Sequence, residues 1–443
     1  MAHIDKPREK ALQVLQSVEG GGFADSLINE ARQVFDGRDS AFILELVYGT
    51  LRNRLRLDWA LDLFSAQPVE KTDAWTRNLL RLGAYQMLFL DRVPTSAAVD
   101  TATELAKIYG KKHGYVNGLL RNLDRKRSAI TEPGTADPVK RLSILHSHPE
   151  WLIRRWVRQF GEKPAERLLE RNNQPAPLVI RTNTLRTTRE QLKASLEADG
   201  VNAVETKYSP LGLELVSGPG IQKPGSYQSG WFMVQDEAAQ LISMMLSPLP
   251  GETVLDACAA PGGKATHLAS MMQGSGTLVA LESDPERIKR IRENCARLGA
   301  TLVLPTRGDA TQYKEGRFDK VLIDAPCSGL GVLGRHPDGR WNKTEGSIRE
   351  RRLLQARILE NCAMLVNPGR ALVYATCSTE PEENEEVISS FLSGKSGEFV
   401  IDDPRPLLPE QARVLVDETG FFHSYPVAFE MDGFFGARLA RKA

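Results

Sequence analysis

From about residue 250 the chain adopts an alternation that few folds can satisfy. Short apolar runs, 253–255, 277–281, 320–323 and 371–375, are separated by helix-patterned stretches. This is the rhythm of βαβ units, which build a doubly wound parallel sheet with helices on its faces. The stretch 285–298 shows how completely one such helix is specified. Asp284 stands at the N-cap, Pro285 at the first helical position, Ile288, Ile291, Cys295 and Leu298 form one apolar stripe, and Gly299 is the stop. In an open sheet of this kind ligands bind outside the carboxyl ends of the strands. Chemistry is therefore sought at the residues that follow each run.

The first run leads into Asp256-Ala-Cys-Ala-Ala-Pro-Gly-Gly-Lys264, a loop whose glycines let backbone approach a ligand, with a helix expected from about His267. Neither GxxxxGK[ST] nor GxGxxG is present, so a generic phosphate loop fails on spacing. The second run ends at Glu282, where acidic residues in nucleotide sites bind ribose hydroxyls. Two readings stand open for it: a ribose ligand or a solvated strand-end carboxylate. Asp309 is expected past a third strand at 302–305, and Asp324 directly follows the fourth run.

Five cysteines are present without a CxxC pair, which argues against a disulfide framework or a structural zinc site. Cys327 and Cys377 follow the last two runs and fall on the same edge as the acidic groups. Cys295 and Cys362 lie on apolar helical stripes and are expected in the core. Cys258, inside the glycine loop, is expected to touch a ligand through its backbone. An unperturbed thiol is only a few per cent thiolate at neutral pH, so a nucleophilic cysteine here needs activating surroundings.

Upstream, residues 1–144 read as successive helices, with Leu79, Leu80, Leu82, Ala84, Met87 and Leu90 recurring near the 3.6 period. A linker at 131–138 precedes a mixed stretch, 145–245, with a helix near 151–160, strands near 178–183 and 212–216, and a helix over 188–199. The expected architecture is multidomain: an all-α bundle (1–144), a small α+β domain (145–245) and an α/β Rossmann-like domain (246–443).

Charge excludes a polybasic binder, since 57 Lys and Arg stand against 56 Asp and Glu. One stretch is locally cationic: Lys107, Lys111, Lys112, Arg121, Arg125, Lys126 and Arg127 have only Asp124 as an acidic neighbour in sequence. It reads either as a solvated helix face or as a set of phosphate contacts. The amino terminus has no apolar targeting core and no run approaches a membrane span. A reduced, cytoplasmic, monomeric protein without a metal is expected.

The motif at 256–264, Asp324-Ala-Pro-Cys327, Ala375-Thr-Cys377-Ser, Glu380-Pro-Glu-Glu-Asn384 and Asp432-Gly-Phe-Phe435 together resemble the RNA cytosine-5 methyltransferases that use S-adenosylmethionine. Glu45-Leu-Val-Tyr-Gly-Thr-Leu-Arg52 and Gly118-Leu-Leu-Arg-Asn122 are similar to the NusB-like helical RNA-binding domain. Ser147-His-Pro-Glu-Trp-Leu152 and Arg181-Thr-Asn183 resemble a ferredoxin-like extension found before such catalytic domains. The three-part order resembles enzymes acting on 16S ribosomal RNA, which implies methylation of cytosine 967 in a single-stranded or loop segment.

The resemblance implies that Cys258, Ala259, Ala260, Pro261, Gly262, Gly263 and Lys264 hold the methionine part and backbone of S-adenosylmethionine. It places Glu282 at the ribose, Asp309 beside the adenine, and Asp324 at both cofactor and cytosine. It makes Cys377 the nucleophile and Cys327 the group that helps release product, with Asp324 and Lys264 at the ring N3. For the helical domain it implies RNA contacts by the 107–127 stretch. Two departures stand out: that family carries Asp where Glu282 stands, and 333–341 has glycines where a basic and an apolar residue are expected. A tRNA or another rRNA site, DNA cytosine with Cys327 as nucleophile, or a non-catalytic assembly factor are the competing readings.

Overall fold

The computed structural model describes residues 5–110, 112–218, 224–395, 397–425 and 430–443. It forms two compact units, Met1–Pro175 with Leu333–Asn342, and Ala176–Val332 with Lys343–Ala443.

The first unit is helical throughout its described residues. Its longest helices, Gly37–Arg52 and Ala74–Phe89, are capped by Asp36 and Asp73, whose side chains accept from backbone N–H groups three residues on. Leu46, Leu57, Leu79, Leu80 and Leu120 lie at its fully buried centre.

Helices Pro138–His146, Glu150–Phe160 and Glu162–Asn172, which follow the stretch 131–138, pack within the first compact unit. They are amphipathic and bury Leu142, Leu152, Ile153, Trp156 and Leu169. Leu55 also donates its N–H to the Ser147 hydroxyl at 2.9 Å.

The short segment 333–342 completes the first unit. Arg340 is fully buried and donates to the carbonyls of Ser147 (3.1 Å) and Asn172 (3.0 Å) and to Asn173 Oδ1 (2.7 Å). Burial without a carboxylate partner pulls its pKa down to about 9. Trp341 donates Nε1–H to the Leu51 carbonyl at 2.9 Å, and Arg52 donates to the Gly334 carbonyl at 3.0 Å. The unexpected glycines of this stretch thus sit in a docked segment.

In the second unit, β1 (Val179–Thr182), β2 (Asn202–Glu205), β3 (Gly212–Ser217) and β4 (Phe232–Val234) form an antiparallel sheet in the order β2-β3-β1-β4. Helix Arg189–Ala198 carries a capping box between Thr188 and Gln191.

The large sheet contains β5 (Thr253–Asp256), β6 (Thr277–Glu282), β7 (Val303–Arg307), β8 (Phe318–Asp324), β9 (Val366–Thr376), β10 (Phe399–Ile401), β11 (Phe421–Ser424) and β12 (Phe434–Arg441). Its order is β10-β12-β9-β8-β5-β6-β7, with β11 beside β12. The run from β9 to β7 is parallel. The sheet as a whole is mixed, because β12 pairs antiparallel with β9, β10 and β11. The chain leaves β5 toward β6 on one side and returns with β8 on the other, creating a switch point where ligands bind in open sheets.

Candidate active site

The helix after β5 begins earlier than expected, at Gly263 rather than near His267. Gly262 is its N-cap in the left-handed region, φ 99°, where a side chain would be strained. Lys264 therefore projects from the first helical turn. His267 is fully buried in the helix, and burial pushes its pKa well down. Fully buried Arg181 of β1 braces the same turn, donating to the Gly263 carbonyl (2.6 Å) and Thr266 Oγ1 (3.1 Å).

Lys264 Nζ lies 2.7 Å from Asp324 Oδ2 and 5.0 Å from the centre of the Phe434 ring. Burial acts to lower the lysine pKa, but Asp324 and then Asp256 outweigh it and hold it above its ordinary value. Lys264 is thus a fixed cation at the ends of β5 and β8. Asp256 is completely buried, and neither carboxyl oxygen has a geometrically sound hydrogen bond. Burial, followed by repulsion from Asp324, pushes its pKa up to about 7.

Glu282 is not a solvated strand end, being only 5% exposed. Its Oε1 accepts the N–H groups of Ser283 (2.9 Å) and Asp284 (3.1 Å), and Oε2 pairs with Arg287 at 3.1 Å. Asp309 is exposed and two residues past β7, with its oxygens engaged by Thr311 and Gln312 in its own turn. The Thr311 N–H is the main reason its pKa is lowered.

The two strand-end cysteines meet: Cys327 Sγ and Cys377 Sγ are 3.2 Å apart. The hydrogen bond to Cys377, followed by burial, pushes the Cys327 thiol well up. Glu383 sets this approach. Its Oε1 accepts from Ser328 N–H (2.8 Å) and Gln355 Nε2 (3.0 Å), and its Oε2 accepts from the Ser328 and Ser378 hydroxyls, both at 2.5 Å. One buried carboxyl group thereby joins the residues immediately after each cysteine. Asn384 brackets Cys377, accepting from Thr376 Oγ1 at 2.5 Å and donating to the Ser378 carbonyl at 2.9 Å.

The Cys377 carbonyl accepts the Gly331 N–H at 3.0 Å, and the Gly331 carbonyl accepts the Gly433 N–H at 2.8 Å. A Cβ on Gly331 would lie 2.0 Å from the Gly433 carbonyl oxygen, so this crossing requires glycine. The other cysteines stand apart from this pair. Burial pushes Cys295 to about 11 and Cys362 to about 12, and both sit in the core as expected. Burial also raises Cys258 well above its ordinary value. Glu383, Asn384, Phe434 and Asp256 were visible only as parts of motifs.

The basic stretch of the first unit is less isolated than its sequence suggests. Lys107 pairs with Glu104 (2.6 Å), Lys112 with Asp73 (3.3 Å) and Arg121 with Asp100 (3.7 Å). Arg125, Lys126 and Arg127 have no carboxylate within ion-pair distance among the described residues; Lys126 instead lies over Phe64 at 5.8 Å. Lys111 lies outside the described residues.

Residues 243–440 match the model of the 16S rRNA methyltransferase RsmB/F family, residues 5–125 the NusB family, and residues 148–222 the RsmF/B-like ferredoxin-like domain. The probable ribosomal RNA small subunit methyltransferase B of Bacillus subtilis is 34% identical, covering 98% of both chains. The chain belongs to the RsmB/F family of rRNA methyltransferases. Ribosomal RNA small subunit methyltransferase B of Salmonella agona is 32% identical over 98% of this chain and 97% of its own. The crystal structure of PH0851 superposes with a TM-score of 0.82 at 29% identity, covering 99% of each chain. NSun6 from Pyrococcus horikoshii, crystallised with SFG, shares the fold over 68% of this chain and all of its own (TM-score 0.60, 20% identity).

The RsmB/F assignment makes the protein an S-adenosylmethionine-dependent enzyme, and its residues fit that cofactor. The carboxyl group of Asp256 is buried without a sound partner, as an amino group would require, and the Gly262–Gly263 turn leaves backbone N–H groups at a helix start. No helix among the described residues is long and apolar enough to cross a membrane.

Proposed function

We propose that this enzyme methylates C5 of a cytosine in 16S rRNA, cytosine 967 by its resemblance, through a covalent bond from Cys377 to C6. The observation that carries this reading is the 3.2 Å approach of Cys327 and Cys377 beside the Lys264–Asp324 pair. Cytosine C5 is a poor nucleophile. Addition of a thiolate at C6 turns C5 into an enamine carbon. When bound, S-adenosylmethionine supplies the electrophilic methyl group.

The loop from Cys258 to Lys264 and the Glu282 carboxylate hold the cofactor, with Asp309 at the adenine edge. Asp324, bridged by Lys264, faces the ring N3, and a proton held there offsets the negative charge that develops on it. After methyl transfer the C5 proton passes to a base as the C6–S bond breaks and Cys377 leaves as a thiolate; by the resemblance, Cys327 assists this release. The target base leaves its stack at a cost of a few kcal/mol, which single-stranded or loop RNA reduces. The helical domain recruits that RNA in the cytoplasm, with Arg125, Lys126 and Arg127 on phosphates and Lys112 and Arg121 in secondary contact.

The test is adduct trapping. Cys327→Ala should leave a protein–RNA adduct that survives denaturing gels, whereas Cys377→Ala should leave none. The reverse pattern overturns the assignment of roles. Bisulfite mapping of rRNA from a deletion strain tests the target: 5-methylcytosine persisting at the expected position refutes it.

A further inference from the structure

The motif Glu45–Arg52 contributes nothing to the methyl-transfer chemistry, yet three of its residues converge on one cavity of the first unit. Glu45, Gly49 and Arg52 line a pocket of about 430 Å³, within the range of small-ligand sites. Their spacing puts them on one helix face, continued by Asn53 and Arg56. A Cβ on Gly49 would lie 1.9 Å from Tyr85 Cζ, so glycine admits the Tyr85 ring to this wall. The Tyr85 hydroxyl is anchored on Glu45.

The pocket contains a column of planar groups. Tyr85 stacks on Phe89 with ring centres 5.5 Å apart and planes 17° from parallel, and the exposed Arg56 guanidinium lies 5.5 Å from the Phe89 centre. Asn53 commits its Nδ2 to the Gly49 carbonyl, leaving its Oδ1 as an acceptor at the rim, where Gln174 adds a second amide. An adjoining hollow of about 170 Å³ shares Arg56 and Phe89 and extends to Trp59 and Arg127. Aromatic rings and guanidinium planes interleaved with amides are how unpaired bases are bound, by stacking and by contacts to their edges.

We propose that this pocket binds an unpaired nucleotide of the RNA substrate, distinct from the cytosine that is methylated. Its base extends the Tyr85–Phe89–Arg56 column, and the flanking backbone runs past Trp59 to Arg127. The lining arginines, Arg52 and Arg56, are balanced by Glu45 and Glu170, so the pocket favours a base over a bare phosphate. The proposal rests on the reading that the enzyme modifies RNA, and its test separates the two.

The full-length protein would be titrated with a single-stranded 16S fragment containing the target and crosslinked to the same fragment carrying 4-thiouridine. Phe89→Leu and Arg56→Gln should each weaken binding about tenfold. Both should raise KM for RNA while leaving kcat at saturating RNA and S-adenosylmethionine affinity near wild type, and Phe89→Tyr should restore binding. Crosslinks should map to residues 52–59 and 85–89. RNA affinity unchanged in both variants, or crosslinks absent from those peptides, overturns the pocket; a pocket for a peptide gives the first result. Crosslinking here by a wild-type protein that methylates no cytosine supports the pocket and refutes the proposed function.

Discussion

Two stretches of this chain concentrate one kind of chemistry in the sequence, and they fold in opposite ways. At the carboxyl ends of β8 and β9, two adjacent thiols are set by a network in which Glu383 accepts four hydrogen bonds and Asn384 holds both neighbours of Cys377. Along helix His113–Arg125 and its flanks, the cationic side chains are exposed, and two of them, Lys112 and Arg121, pair individually with Asp73 and Asp100. The first arrangement is cooperative, so losing one member leaves others unsatisfied in a dry site. The second is close to a sum of screened, independent charges. Mutational effects should therefore be steep at the strand ends and shallow on the helix.

The steepest effect belongs to the proposed nucleophile. Cys377→Ala should reduce methylation to background while S-adenosylmethionine binding, measured by calorimetry, stays within about threefold. Residual turnover above that background would move the nucleophile elsewhere. Next comes the positioning group. Glu383→Gln keeps the shape but puts an amide N–H₂ where the Ser328 and Ser378 hydroxyls donate, so the two cysteine loops must shift. A misplacement of about 1 Å at a reacting centre costs about a hundredfold in rate. The loss should fall on kcat, with KM for S-adenosylmethionine unchanged. A change in cofactor KM alone would mean that Glu383 supports binding and does not set the thiols.

The same contrast explains what could be read in advance. Strands β5, β6, β8 and β9 were legible because parallel strands, buried on both faces, run apolar. Strand β12 was not: Phe434–Arg441 opens with the end of a motif, carries glycine and arginine, and gains its place only by pairing with β9. The candidate edge was legible as a list of residue types at strand ends, while the bonds that organise it join residues far apart in sequence, Ser328 and Glu383 being 55 positions apart. Helix Gly263–Met271 was placed too late because two glycines resemble loop until one is known to be the N-cap. The pairing on the helical surface is hidden in the sequence for a related reason, since Asp73 and Asp100, which pair with Lys112 and Arg121, lie far from them in sequence.

Asp256 gives a smaller but sharper test. Its carboxyl group titrates at about 7 in the fold and near 3.8 when solvated. Between those values the folded protein binds the extra proton, so stability conferred by this group is present at low pH and is lost as pH rises toward 7. The shift corresponds to about 4 kcal/mol by linkage. Asp256→Asn removes the titration, so the variant should gain stability relative to wild type as pH rises from 4 to 7, read from denaturant midpoints across that range. A constant difference would show that Asp256 is already ionised in the fold.

The shallowest effect is on the cationic face. Arg125, Lys126 and Arg127 have no carboxylate partner among the described residues, whereas Lys112 and Arg121 already have one each. Reversing the three free charges should weaken RNA binding several-fold at low salt. Each lost phosphate contact removes about 0.7 from the slope of log affinity against log salt for a single strand, so the triple variant should flatten it by up to about 2. Reversing Lys112 and Arg121 should do less, because their partners have neutralised part of the field. Equal slopes for both sets would mean that local pairing does not govern the face, and an unchanged slope in the triple variant would make it a solvated helix surface.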